Sequence, residues 1–125
     1  MQMGFQKRFD DRVAEALLLA GLGKVLDDGG LDLLHEEWND VLSGGERQRM
    51  GFARLYFHSP AFAVLDEATS AIAPGEELKL YEQLIARGTT VLSIAHRLEL
   101  RALHTMELRI KGDGTGEYDI VTLKQ

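Results

Sequence analysis

The chain contains no cysteine, two prolines and one tryptophan among 125 residues. Without cysteine, disulfides, thiolate nucleophiles and cysteine-ligated metals are excluded, and redox compartment is left open. It also lacks long hydrophobic runs. The longest stretch free of Asp, Glu, Lys and Arg is the eleven residues Leu55–Leu65, against ~20 apolar residues for a membrane-spanning helix. Met1–Asp10 has no apolar run like that of a signal peptide. An excess of basic charge is missing too. The formal charge is −6, which argues against a broad nucleic-acid footprint. What remains, 45% hydrophobic and 27% charged residues, is the composition of a globular chain of at most one domain.

The order of elements reads as α/β. Val13, Ala16, Leu17 and Ala20 fall at helical spacing behind Asp10 and Asp11, which suit a helix start, and Gly21 and Gly23 end the pattern. Asp27–Gly30 is a turn cluster, and Leu31–Trp38 is a short helix or irregular. Ser43-Gly44-Gly45-Glu46 forms a capping box ahead of a helix with Met50, Ala53 and Phe57 on one apolar face, closed by Ser59-Pro60. Ala61–Leu65 and Thr89–Ala95 read as strands buried on both faces, as in a parallel sheet. Between them Leu78, Tyr81, Leu84 and Ile85 mark a helix stopped by Gly88. Arg97–Leu103 suggests a short helix. Met106–Lys111 and Glu117–Leu123 suggest a hairpin across Gly112, Gly114 and Gly116.

Strand–helix–strand units bind ligands at the carboxyl ends of their strands, and Asp66, Glu67 and His96 each follow a strand there. Asp66 is placed to hold Mg²⁺ through water, Glu67 to orient or deprotonate a water, and His96 to donate a hydrogen bond to a phosphate. Gly44 and Gly45 let a backbone with free N–H groups approach a phosphate closely. Each feature also has a plain structural explanation when taken singly: a capped helix, acids starting a turn, a strand-end histidine. Trp38 reads as a packing residue. His35, His58 and His104 lack partners at metal-ligand spacing. Gly21-Leu22-Gly23-Lys24-Val25 imitates a phosphate-binding P-loop but has Leu18 where that motif needs Gly and Val25 where it needs Ser or Thr, so it reads as a helix stop.

Taken together, the motifs resemble those of the ABC ATPases. Leu42-Ser43-Gly44-Gly45-Glu46-Arg47-Gln48-Arg49 is similar to their signature, Ala61–Glu67 to the Walker B strand, Ala68-Thr69-Ser70-Ala71-Ile72-Ala73 to the D-loop, and His96 to the switch histidine. The spacing, 23 residues from Ser43 to Asp66 and 30 from Asp66 to His96, fits as well. Trp38-Asn39-Asp40-Val41, Phe52–Pro60 and Leu103-His104-Thr105 resemble the D sub-family, the peroxisomal fatty-acyl half-transporters. Ala73 stands where most ABC ATPases carry Asp, a departure that sub-family shares.

The resemblance implies a P-loop NTPase fold represented by its C-terminal part. Residues 1–60 would hold the remnant of the helical subdomain and the signature helix. Residues 61–125 would hold the Walker B strand, D-loop, switch strand and terminal hairpin. It implies ATP and Mg²⁺ as cofactors, Asp66 as metal residue, Glu67 and His96 as catalytic residues, and Ser43, Gly44, Gly45 and Glu46 as contacts to nucleotide held by a second ABC ATPase domain. The P-loop and a membrane domain would precede this region, with a peroxisomal membrane as the location of the whole. Two other functions are compatible with the motifs: a non-catalytic partner lending its signature to another chain, and a soluble ABC ATPase of translation or DNA repair. The acidic charge and the residues around Trp38 argue against the last.

Overall fold

The computed structural model describes residues 2–24 and 42–124. Its elements are α1 (Gln2–Leu19), α2 (Gly44–His58), β1 (Phe62–Asp66), α3 (Pro74–Ala86), β2 (Thr90–Ile94), a 3₁₀ segment (Leu98–Leu103), β3 (Met106–Ile110) and β4 (Tyr118–Thr122). They form two compact units, Met1–Ile94 and Ala95–Gln125. The expected turn at Asp27–Gly30, the Leu31–Trp38 segment, His35 and Trp38 lie outside the described residues.

In the first unit β1 and β2 pair in parallel, from Phe62 opposite Thr90 to Asp66 opposite Ile94. α3 makes the crossover. It starts on Pro74, where a missing N–H costs nothing, with Glu76 and Glu77 in its first turn. Gly88, at φ +90°, follows its last turn, and its N–H bonds the Ile85 carbonyl at 2.9 Å. α1 ends in a Schellman motif. Gly21 is left-handed at φ +78°, the Gly21 N–H bonds the Leu18 carbonyl at 3.0 Å, and the Leu22 N–H bonds the Leu17 carbonyl at 2.8 Å. Leu17 and Leu22 are both buried. The glycine that imitates a P-loop is therefore a helix stop, as its sequence context suggests.

The core of this unit joins Ala16, Leu17, Ala20 and Leu22 to Phe52, Ala53 and Tyr56 of α2, Ala63 and Leu65 of β1, and Leu80, Tyr81 and Leu84 of α3. The Phe52 ring meets Tyr81 edge-on, 5.6 Å between centroids, a geometry contributing about 0.5–1.5 kcal/mol beyond buried area. The Tyr56 hydroxyl donates to the Leu80 carbonyl at 2.7 Å, and burial raises its pKa.

Three expectations need correction. α1 begins at Gln2, so Asp10 and Asp11 lie inside it: residues 2–9 contain no proline to stop the helix from extending backward. The buried stripe of α2 is Phe52, Ala53 and Tyr56, so of Met50, Ala53 and Phe57 only Ala53 is buried. The Phe57 ring turns toward α1, where the Arg12 guanidinium lies 4.7 Å from its centroid. The two strands are not buried on both faces. In β1 burial alternates, with Ala63 and Leu65 buried but Phe62 76% and Val64 64% exposed; Leu92 and Ile94 of β2 are exposed as well. Among the described residues the sheet has two strands, and its core-facing side is the one that meets the helices.

In the second unit β3 and β4 form the expected antiparallel hairpin. Gly112, Gly114 and Gly116 all have positive φ, and the Thr115 N–H closes the turn on Asp113 Oδ1 at 3.0 Å.

Candidate functional site

The signature segment is built by its cap. Ser43, extended at φ −65° and ψ 169°, is the N-cap of α2. Its Oγ accepts from the Glu46 N–H at 3.1 Å, and the Ser43 N–H donates back to Glu46 Oε1 at 3.0 Å. The bond from the Ser43 N–H, foremost, and a side-chain hydrogen bond from Ser43 to the carboxylate lower the Glu46 pKa. The Glu46 carboxylate thus has a local task at the helix start. Gly44 and Gly45 occupy the first two helical positions, whose N–H groups have no intrahelical acceptor. With the positive end of the helix dipole behind them, they form an anion-favouring terminus.

The acidic pair sits at the carboxyl end of β1. Asp66 is exposed at the last rung of the ladder. The Glu67 N–H extends that ladder to the Ile94 carbonyl at 2.8 Å. Glu67 then turns left-handed at φ 50°, a conformation that costs a non-glycine residue about 1–2 kcal/mol. The loop after it is tied down in several places. The Ser70 N–H reaches the Glu67 carbonyl at 3.3 Å and the Ile72 N–H the Thr69 carbonyl at 3.0 Å. The buried Thr69 hydroxyl donates to the buried Glu77 carboxylate of α3.

The loop lies against the signature helix. Gln48 bonds Glu67, Ser70 and Ala71. A Cβ on Gly45 would lie 3.0 Å from the Ala71 carbonyl oxygen, whereas one on Gly44 would meet the Ala71 methyl at an ordinary 3.5 Å. Ser43–Glu46 and Asp66–Glu67 therefore belong to one compact unit. His96, exposed and two residues past β2, belongs to the second unit. Sequence reasoning assigned no role to Gln48, because its partners lie 19 to 23 residues away and no local pattern marks such a contact.

The donor set fits Mg²⁺ with a nucleotide. Among the described residues no cluster of three His, Cys, Asp or Glu side chains could hold a metal by itself. Mg²⁺ asks for less, one or two carboxylates, with waters and phosphates completing its shell. Asp66, an exposed carboxylate at the end of β1, is the kind of single ligand such a shell uses.

A family model described as ABC transporter matches residues 4–70, a span that contains the cap, α2, β1, Glu67 and the start of the loop. The chain belongs to the ABC transporter family. With that membership come the P-loop NTPase fold and ATP as the family's ligand. The lysosomal cobalamin transporter ABCD4 of Mus musculus is 44% identical over 117 residues, covering 92% of this chain and 19% of the relative. ATP-binding cassette sub-family D member 3 of Rattus norvegicus is 40% identical over 119 residues, covering 94% and 18%. ABC transporter D family member 2, chloroplastic, of Arabidopsis thaliana is 44% identical over 108 residues, covering 86% and 15%. The chain spans less than a fifth of the length of these relatives. No described helix is long and apolar enough to cross a membrane.

Proposed function

We propose that this chain supplies the signature and the hydrolytic carboxylates of an ABC ATPase that powers transport by a sub-family D transporter. The observation that carries the reading is the union, in one compact unit, of a glycine-rich helix terminus and an Asp-Glu pair at a parallel strand's carboxyl end. Residues 1–60 act as helical subdomain remnant and signature helix, and residues 61–125 as Walker B strand, D-loop, switch strand and hairpin. When bound, ATP supplies the transferable γ-phosphoryl group.

Each residue's task follows from its chemistry. Glu67 takes a proton from the attacking water, a role worth about 10²–10⁴ in rate. Asp66 holds Mg²⁺ through water. The Gly44 and Gly45 N–H groups, at a terminus capped by Ser43 and Glu46, donate to phosphate oxygens of nucleotide held by a second ABC ATPase domain. His96 donates to the γ-phosphate. The work is positioning and charge stabilisation, as phosphoryl transfer requires. A membrane domain carries the cargo, a fatty-acyl compound by sub-family resemblance, and fixes the membrane in which the assembly resides. The mouse relative is named for cobalamin and the lysosome and the plant relative for the chloroplast, so compartment varies within the sub-family.

The test is ATP turnover by this chain assembled with an ABC ATPase domain that carries a P-loop. No GxxxxGK[ST] sequence occurs in the chain, so alone it should turn over negligibly. In the assembly Glu67→Gln should lower kcat at least about 100-fold while ATP remains bound. Unchanged turnover sinks the general-base assignment. The same missing motif favours a second reading, a partner that only lends its signature. In that case Ser43→Arg would suppress turnover of the assembly and Glu67→Gln would not.

A further inference from the structure

We propose that Gln48 is a positioning residue that locks the Glu67–Ala71 loop onto the signature helix and thereby fixes the Glu67 carboxylate. As a statement about hydrolysis, this rests on Glu67 being the base. Gln48 lies in the second turn of α2. Its Oε1 accepts the Ala71 N–H at 2.8 Å, while its Nε2 donates to the Glu67 carbonyl at 3.2 Å and to Ser70 Oγ at 2.8 Å.

The direction of the amide is dictated by its neighbours. A backbone N–H can only donate and a carbonyl can only accept. The Ala71 side must therefore face oxygen and the Glu67 side must face nitrogen. One side chain thus grips both ends of a five-residue loop with opposite polarities, a task that neither Glu nor Lys can perform.

What it grips is the strained part of the chain. Glu67 is left-handed at φ 50°, and such a residue persists only where its surroundings over-determine it. On one side the Ile94 carbonyl holds the Glu67 N–H; on the other Gln48 holds the Glu67 carbonyl. The same loop end lies close to Gly45, where an added Cβ would stand 3.0 Å from the Ala71 carbonyl oxygen. The signature turn and the hydrolytic carboxylate are thereby mechanically linked through one amide.

Gln48→Met keeps the length and apolar stem but removes both polar ends; Gln48→Glu keeps only the acceptor for Ala71. The two are compared in the assembly with a P-loop-bearing ABC ATPase domain, reading amide hydrogen exchange at Ala71 and ATP kinetics. In Gln48→Met, exchange at Ala71 should quicken about tenfold and kcat should fall about tenfold with KM for ATP unchanged. In Gln48→Glu, exchange at Ala71 should stay slow while kcat still falls, because the bond to the Glu67 carbonyl is the one lost. Wild-type exchange at Ala71 in Gln48→Met overturns the clamp. Wild-type kcat in both variants, with Glu67→Gln inactive, overturns the positioning role. If Glu67→Gln itself turns over normally, the base assignment falls, and Ala71 exchange alone upholds or overturns the clamp.

Discussion

The two signature glycines answer to different constraints, and methyl substitutions should separate them. Each stands in the first turn of α2, where replacing Gly by Ala reduces the entropy of the unfolded chain and contributes about 0.4–1 kcal/mol of stability where the conformation permits. At Gly44 the new Cβ meets the Ala71 methyl at 3.5 Å, an ordinary contact, so Gly44→Ala should stabilise by about that amount. At Gly45 the Cβ would lie 3.0 Å from the Ala71 carbonyl oxygen. That oxygen is backbone, and its neighbouring N–H is held by Gln48 at 2.8 Å, so the loop cannot yield freely. Overpacking of this kind costs about 1–3 kcal/mol. Subtracting the entropic gain leaves Gly45→Ala between neutral and about 2.6 kcal/mol destabilised, and about 1–3 kcal/mol below Gly44→Ala. Urea unfolding of the chain, followed by far-UV circular dichroism without nucleotide, measures the difference. A glycine needed only for the approach of a phosphate would tolerate the methyl under those conditions. Equal stability of the two variants within about 0.3 kcal/mol, below the usual scale of a packing defect, would refute the steric reasoning.

Two further outcomes follow from other contacts. A Cβ on Gly21 would lie 2.5 Å from Arg49 Nη1, which donates to the Ala20 carbonyl at 3.1 Å. Gly21→Ala should therefore cost about 2 kcal/mol, of which roughly 1 is backbone strain. In an Arg49→Met background only the strain should remain, so a coupling near zero in the double-mutant cycle contradicts the geometry. The lowered pKa of Glu46 gives stability that is present above the ordinary carboxylate range and is lost as pH falls through the folded value. The advantage of wild type over Glu46→Gln should thus be full at pH 7 and fade below about pH 4; a pH-independent difference would show that the carboxylate's charge is not used in the cap.

Local chemistry made much of this legible. The capping box, the α3 crossover, Gly21 and Gly88 as helix stops and the glycine-rich hairpin all announce themselves within a few residues, because each is a short-range device. The faces of the strands did not. Ala61–Leu65 is apolar at every position, and such a run cannot distinguish a strand covered on both sides from one covered on a single side. The choice rests on what else packs there. The stripe of α2 shifted for a similar reason: Phe57 and Tyr56 are both aromatic, and the guanidinium of Arg12 drew one of them toward α1. Gln48 and the tight fit of Gly45 on Ala71 stayed hidden because they join segments more than fifteen residues apart.

The uncovered side of β1 and β2 has a colloidal consequence. Phe62, Val64, Leu92 and Ile94 present adjoining apolar side chains, and a two-stranded parallel sheet offers backbone rungs along its margins. The margins can template strand addition, and the apolar face can stack on another apolar surface. The net charge of −6 opposes such association, and that repulsion reaches only about 8 Å at physiological ionic strength. Shelf life in solution is then set by salt and concentration: dilute, low-salt buffers favour dispersed molecules, while salting brings the bare sheets within reach of one another.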